Sequence, residues 1–250
     1  MATQEKTTVR SVERALDILL CFADQPGGLG VTQVADRLGL YKSTVHRLLQ
    51  ALEAKGFVRR DPTSERYHLG ERVLQLAASF PQSDDLPAAA TPEMIRLRDE
   101  TEETISLYIR DGLERVRIHK AEGLQEVRRV VQLGQRMPLY VGAASKILLA
   151  YAPDDIRSKV LDSENLPESL QRKVLEKQLA QVKLQGYASS IGEREEGAAA
   201  VAAPVLDRYG QAVAALAVSG PAQRFDEGSM EHCAILVRLA AERIAQRLGW

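Results

Sequence analysis

Cysteine is nearly absent from this chain: two of its 250 residues, Cys21 and Cys233. They lie far apart and each falls in a helical apolar pattern, so they read as buried thiols, not as a disulfide or metal pair. Aromatic residues are also few, at 5%. No apolar run approaches the roughly 18 residues a membrane span needs. The first residues, MATQEKTTVRSVERALD, lack the charged-then-apolar layout of an export signal. The expectation is a cytoplasmic protein with no membrane partner. Neither charge sign dominates: 33 Lys and Arg face 34 Asp and Glu, a net of −1. That argues against a general polyanion binder.

Catalytic signals are missing too. The four histidines are His46, His68, His119 and His232, and no HExxH, GxSxG, phosphate-binding loop or paired CxxC occurs. Glu193, Glu195 and Glu196 cluster, but read as a solvated loop in preference to a metal site with His119. No catalytic residue, metal or cofactor is expected.

What is present suits a soluble globular protein of one large domain or two: 45% apolar and 27% charged residues. Residues 1–70 carry 10 Lys and Arg against 8 Asp and Glu, a net of +2, and the remainder carries −3. This small asymmetry permits nucleic-acid binding by the first part without demonstrating it.

The pattern of the first part is more specific. Val9, Val12, Leu16, Leu19 and Leu20 recur at helical spacing and predict one face of a helix from about 10 to 23, ended by Pro26-Gly27-Gly28. Thr32 is the expected N-cap of a second helix, with Gly39 as its breaker. Val45, Leu48, Leu49 and Leu52 predict a third helix from about Lys42 to Lys55. At 100° per residue its opposite face carries Ser43, His46, Arg47 and Gln50. Gly56 stops it. Phe57 to Arg60 and Arg66 to Leu69 predict two short strands around Asp61-Pro62-Thr63-Ser64.

Helix, helix–turn–helix and hairpin together form a winged helix-turn-helix. Its third helix fits the DNA major groove, where Ser43, Thr44, His46, Arg47 and Gln50 can bond base edges. Lys42, Arg59, Arg60 and Arg66 are placed for phosphates. Thr32, Gln33 and Tyr41, at the starts of the two helices, complete the expected DNA-binding set. A polar helix face alone also fits a protein-binding or dimerisation module. The glycine turn, apolar register and basic hairpin together favour double-stranded DNA.

Glu71 to Phe80 predicts a short helix with Val73, Leu74, Leu76, Ala77 and Phe80 apolar, broken by PQSDDLP. A helix this short needs something to pack on, and a second copy of the chain is favoured over its own domain. Beyond it, helices are expected at 86–102, 143–151, within 167–185 and at 226–248. Strands are expected at 104–110, 115–120 (with Val116 and Ile118 on one face), 127–133, 199–207 and 212–219. An antiparallel sheet with packed helices follows, an α+β fold. Gly142-Ala143-Ala144 opens a helix directly after strand-like PLYV. Helix-start amides lack internal partners and attract anions, and small side chains leave room for one. The plainer reading is a close helix–sheet contact.

Three separated stretches carry a family resemblance. RSVERALDILLCF, VTQVADRLGLYKSTVHRLLQALEAKGFVRRD and RYHLG lie in the first; GQRMPLYVGAASKILLA (134–150) is the second; GYASSIGEREEGAAAVAAPVLDRYGQAVAALAVSGP (186–221) is the third. In order and end to end, they resemble the IclR family of bacterial transcription regulators. The resemblance implies a winged helix-turn-helix domain (1–70), a linker helix and hinge (71–85) and a GAF-like effector-binding domain (86–250). It also implies a dimer, or dimer of dimers, on a palindromic operator, and repression as the commoner sign. The family's effector site maps onto Gly142, Ala143, Ser190, Ala200, Ala217 and Ser219. Family members often carry Asp at the position of Ser190, Cys at Ala200, Ser at Ala217 and Gly at Ser145. Ser106, Tyr108, Met137, Tyr140 and Ile191 are expected to add an aromatic and apolar lining. Such a pocket suits an aromatic acid or similar compound over glyoxylate or pyruvate. The alternative is a hydrolase or transferase of GAF-like fold with an appended DNA-binding domain.

Overall fold

The computed structural model describes residues 9–23, 25, 27–78, 86–128, 132–163, 166–167 and 172–250. It divides into two compact units, Met1–Gln82 and Ser83–Trp250.

The first unit contains α1 (Arg10–Leu20), α2 (Val31–Leu38), α3 (Lys42–Ala54), β1 (Val58–Arg60), β2 (Tyr67–Leu69) and α4 (Glu71–Ala78). Its core joins Ile18 and Phe22 to Leu29, Val34, Val45, Leu49, Val58 and Tyr67. β1 and β2 pair antiparallel, and Leu29 bridges to Tyr67 as a third element of the wing. Gly39 closes α2 at φ 62°, a left-handed conformation that suits glycine, and turns the chain into α3.

The predicted apolar face of α1 lies away from the core: Val9, Val12, Leu16 and Leu20 are 54 to 70% exposed. Helix α1 carries two apolar stripes, and the one with Ile18 lies on the opposite side, where α3 packs. Thr32 is not an N-cap. Gln33 Oε1 accepts the Gly30 N–H at 3.0 Å, so α2 starts at Val31 and Thr32 lies inside its first turn. On α4, Leu74 and Leu76 are exposed; Pro26 and Phe80 lie outside the described residues.

The second unit is a six-stranded antiparallel sheet between helical layers. Its elements are α5 (Leu86–Thr101), β3 (Thr104–Asp111), β4 (Glu114–Ala121), β5 (Arg136–Pro138), α6 (Ala143–Ala150), α7 (Asp154–Leu161), α8 (Arg172–Gln185), β6 (Ala188–Ile191), β7 (Ala198–Leu206), β8 (Ala212–Pro221) and α9 (Glu227–Arg247). The strand order is β5-β4-β3-β8-β7-β6. Strand alternation divides the core. Ile105, Leu107, Val201, Ala203, Leu216 and Val218 face α5 and α9, while Tyr108, Ala202, Ala215 and Ala217 face α6 and α8. Runs of alanine on β7 and β8 let α6 lie close, and all eight of its residues are buried. Asp226 caps α9 by accepting the Ser229 N–H at 2.8 Å.

Sequence periodicity misplaced the third strand. Residues 127, 128, 132 and 133 are not in strands, and 129–131 lie outside the described residues. The chain rejoins β4 at Gly134, whose N–H donates to the Arg117 carbonyl, and pairs only at Arg136–Pro138. Of PLYV, only Pro138 is in a strand. Helix α7 and strand β6 were not expected.

Candidate functional site

On the first unit, Ser43, His46, Arg47 and Gln50 stand exposed on α3, opposite buried Val45 and Leu49. Lys42 is exposed beside them, Thr44 is half-buried, and Tyr41, just before the helix, is 86% exposed. A surface groove of about 400 Å³ brings Thr32 and Gln33 of α2, His46 of α3, and Arg60 and Arg66 of the wing together. The cations differ in freedom. Arg60 pairs with Glu65 at 2.9 Å, and Arg66 donates to the carbonyls of Gly27 and Gly28 at 3.2 Å each, which ties the wing to the loop before α2. Lys42, Arg47 and Arg59 have no ionic partner among the described residues.

In the second unit a cavity of about 50 Å³ opens where α6 begins against the sheet. Sheet register builds its floor: Ser190 pairs with Ala200 and Ala200 with Ser219, side by side across β6, β7 and β8. Tyr108, Gly142, Ala143, Ser190, Ala200, Ala217 and Ser219 all line it, as expected. Four expected residues do not. Ile191 is 57% exposed, because strand alternation turns it away from the side Ser190 faces. Ser106 and Met137 are buried beside the cavity, and Tyr140 packs against the cluster around α6.

The lining is more charged than expected. Arg115, only 4% exposed, reaches the cavity from β4, and Glu193, Arg194 and Glu195 reach it from the loop after β6. The expected alternation on β4 holds, but Arg115 and Arg117 take the buried positions, leaving Val116 and Ile118 half-buried. The Arg115 guanidinium carbon lies 4.6 Å from the Tyr108 ring centre, and Arg117 donates to the Tyr108 hydroxyl at 3.0 and 2.5 Å. Burial alone pushes the Tyr108 phenol up, but the two arginines outweigh it and hold the phenol below its ordinary value. Sequence reasoning missed both arginines because the residue type is seldom fully buried; their period-two spacing across from Tyr108 was the available signal.

Gly142 precedes α6 at φ 89°, and a Cβ there would stand 3.4 Å from Arg115 Nη2. The contact is an ordinary one; it is the positive φ that calls for glycine. The Gly142 N–H donates to Glu193 Oε2 at 3.0 Å and the Ala143 N–H to Ser190 Oγ at 3.1 Å. Lys146, on the first turn of α6, places Nζ 2.5 Å from Glu193 Oε1. Glu193 is thus engaged by the fold, contrary to its reading as part of a solvated loop. Among the described residues, no group of three His, Cys, Asp or Glu side chains is placed to hold a metal.

The helix-turn-helix and the cavity domain each match one family. The IclR helix-turn-helix domain matches residues 11–62, and the bacterial transcriptional regulator IclR C-terminal domain matches 79–246. The chain belongs to the IclR family. Among IclR relatives, the HTH-type transcriptional regulator KdgR of Escherichia coli K12 is 32% identical over 99% of this chain and 95% of its own. The HTH-type transcriptional repressor AllR of the same strain is 32% identical over 96% and 90%. An IclR regulator from Alicyclobacillus acidocaldarius superposes with a TM-score of 0.84 at 27% identity, covering 97% of this chain and 100% of that one. An IclR homologue from Microbacterium hydrocarbonoxydans, solved with 4-hydroxybenzoate, shares the fold at a TM-score of 0.83 and 23% identity, over 96% and 99%. The protein is a DNA-binding transcription regulator with an IclR effector domain, and its relatives lend no support to an enzyme. No helix among the described residues is long and apolar enough to cross a membrane.

Proposed function

We propose that this IclR regulator is a cytoplasmic repressor that binds a palindromic operator as a dimer and answers to an organic acid, with an aromatic acid favoured. In this reading residues 1–70 bind DNA through α3 and the wing, 71–85 link, and 86–250 bind the effector. The observation that carries the effector reading is the cavity at the start of α6. It joins helix-start amides, a buried arginine and small strand residues, a combination suited to a carboxylate. The Tyr108 ring and the 4-hydroxybenzoate held by the Microbacterium relative support the aromatic choice. The name of the AllR relative supports repression.

Dimerisation is supported by the uncovered apolar stripe of α1, from Val9 to Leu20, and by exposed Leu74 and Leu76 on α4. Two copies would place two recognition helices on half-sites about 34 Å apart or a multiple of it. The effector then shifts the DNA-bound population only by its differential affinity for the two arrangements, and α4 is the proposed lever.

The test is a gel-shift titration on an operator selected by the protein from random sequence, run with aliphatic and aromatic acids. An aromatic acid is expected to release the operator. Gly142→Trp is expected to abolish the release and retain operator binding. Release by two- or three-carbon acids in preference removes the aromatic reading; no response to any acid removes the effector site.

A further inference from the structure

The amides proposed to receive the effector already hold side chains of the protein itself. Glu193 reaches in from the loop between β6 and β7. One of its oxygens accepts the Gly142 N–H at 3.0 Å and the other meets Lys146 Nζ at 2.5 Å. Lys146 is 5% exposed and has one further acceptor, the Ser189 carbonyl at 3.1 Å. An ammonium this buried requires a counter-ion, because an uncompensated charge in a dry site is strongly destabilising. Glu193 is that counter-ion, and its own side chain remains 30% exposed, at the rim. Glu193 itself lines the cavity at the start of α6, and its carboxylate occupies the place on the Gly142 amide that an incoming acid needs.

We infer that Glu193 is an internal competitor for the effector site, displaced by the effector's carboxylate, and that it thereby determines specificity. The inference rests on the effector reading given above. The exchange conserves charge at the site: one carboxylate leaves Lys146 and the Gly142 amide, and another takes its place. No covalent bond changes. A neutral amide, alcohol or ester that displaced Glu193 would leave the Lys146 ammonium buried without a counter-ion. Neutral compounds are therefore rejected by the charge they would strand, not by their size. Arg115 lies on the same cavity and adds a second cation for the incoming acid. Displacement also removes the Glu193 anchor of the loop between β6 and β7, so ligand entry changes the cavity rim in the same event.

Isothermal titration of the full-length protein with 4-hydroxybenzoate and with 4-hydroxybenzamide tests this, using the wild type, Glu193→Gln and Glu193→Asp. Removing the competing charge is expected to tighten acid binding about ten- to a hundredfold, the worth of a charge-assisted hydrogen bond. Amide binding is expected only in Glu193→Gln. Glu193→Asp keeps the charge but shortens its reach, and covers a failure of the glutamine variant to fold; it should tighten acid binding by a smaller factor. Unchanged or weakened acid binding in these variants overturns the inference. If Arg115→Met then loses acid binding, the effector site stands without the competitor. Should acetate, pyruvate, benzoate and 4-hydroxybenzoate all fail to bind the wild type and both Glu193 variants at millimolar concentration, the effector site itself falls, and the competitor with it.

Discussion

Substituting Arg47 by alanine separates DNA recognition from folding. The side chain is exposed on the outer face of α3 and has no ionic partner among the described residues. Its loss should therefore change stability by no more than about 0.5 kcal/mol. The cost falls on the complex. A bidentate arginine contact to a guanine edge is worth about 1–3 kcal/mol of discrimination. A dimer on a two-fold operator makes the contact twice, and the half-sites are too far apart to couple. The expected loss is about 2–6 kcal/mol, from roughly thirtyfold to more than ten-thousandfold in Kd. Fluorescence anisotropy on an operator fragment selected by the wild type measures it. Lys42→Ala is the control, because a phosphate contact should weaken all sequences alike and flatten the salt dependence. Arg47→Ala should instead relax the choice of base at one position of each half-site. Wild-type affinity and sequence preference in Arg47→Ala, with an unchanged melting curve, would show that α3 does not read the groove through this residue.

Two further outcomes follow from the backbone and the thiols. A Cβ at Gly39 meets nothing within 4 Å, so Gly39→Ala strains only the left-handed backbone. It should cost about 1 kcal/mol and lower the melting temperature of the first unit by about 4–8 °C; Gly39→Asn should lose less, and no change in calorimetry would contradict the turn. Burial pushes the Cys233 thiol up to about 11, with the charge of Glu103 adding to it, whereas Cys21 is only half-buried. Below that value Cys233 stays protonated and unreactive, so at pH 8 a disulfide-exchange reagent should label Cys21 in the native protein and Cys233 only on unfolding. Equal labelling rates would contradict this.

Elements with a single apolar stripe were legible from sequence. Val45, Leu48, Leu49 and Leu52 placed α3, and the polar residues opposite fell where expected. Helix α1 was legible as a helix but not in its orientation, because it bears two apolar stripes and periodicity cannot say which one its own domain covers. The start of α2 depended on a glutamine reaching back to a glycine, a contact with no strong compositional mark. Helix α7, DDIRSKVL, is short and mostly polar, and β6, ASSI, has almost no alternation to detect. In the cavity, Gly142 and Ala143 were visible as small residues at a helix start, and Ala200 and Ala217 only through the family resemblance. The burial of Arg115 and Arg117 against Tyr108 was not visible, since arginine is seldom buried, nor was the inward carboxylate of Glu193, whose partners Gly142 and Lys146 lie 51 and 47 positions away.

The two central strands of the six-stranded sheet come from opposite ends of their unit. Thr104 of β3 meets Ser219 of β8, 115 positions later. During synthesis the β3–β4 hairpin therefore waits with an open edge until nearly the whole chain has left the ribosome. Closing so long a loop is slow, and an unpaired edge invites association with other chains. A chain cut short before β8 should yield no folded sensor half, whereas the DNA-binding unit, whose contacts are local, is made first and has no such wait. Insertions and tags belong instead at the tight turns, at Gly112 or at Tyr209-Gly210, where the sheet can still close from both ends.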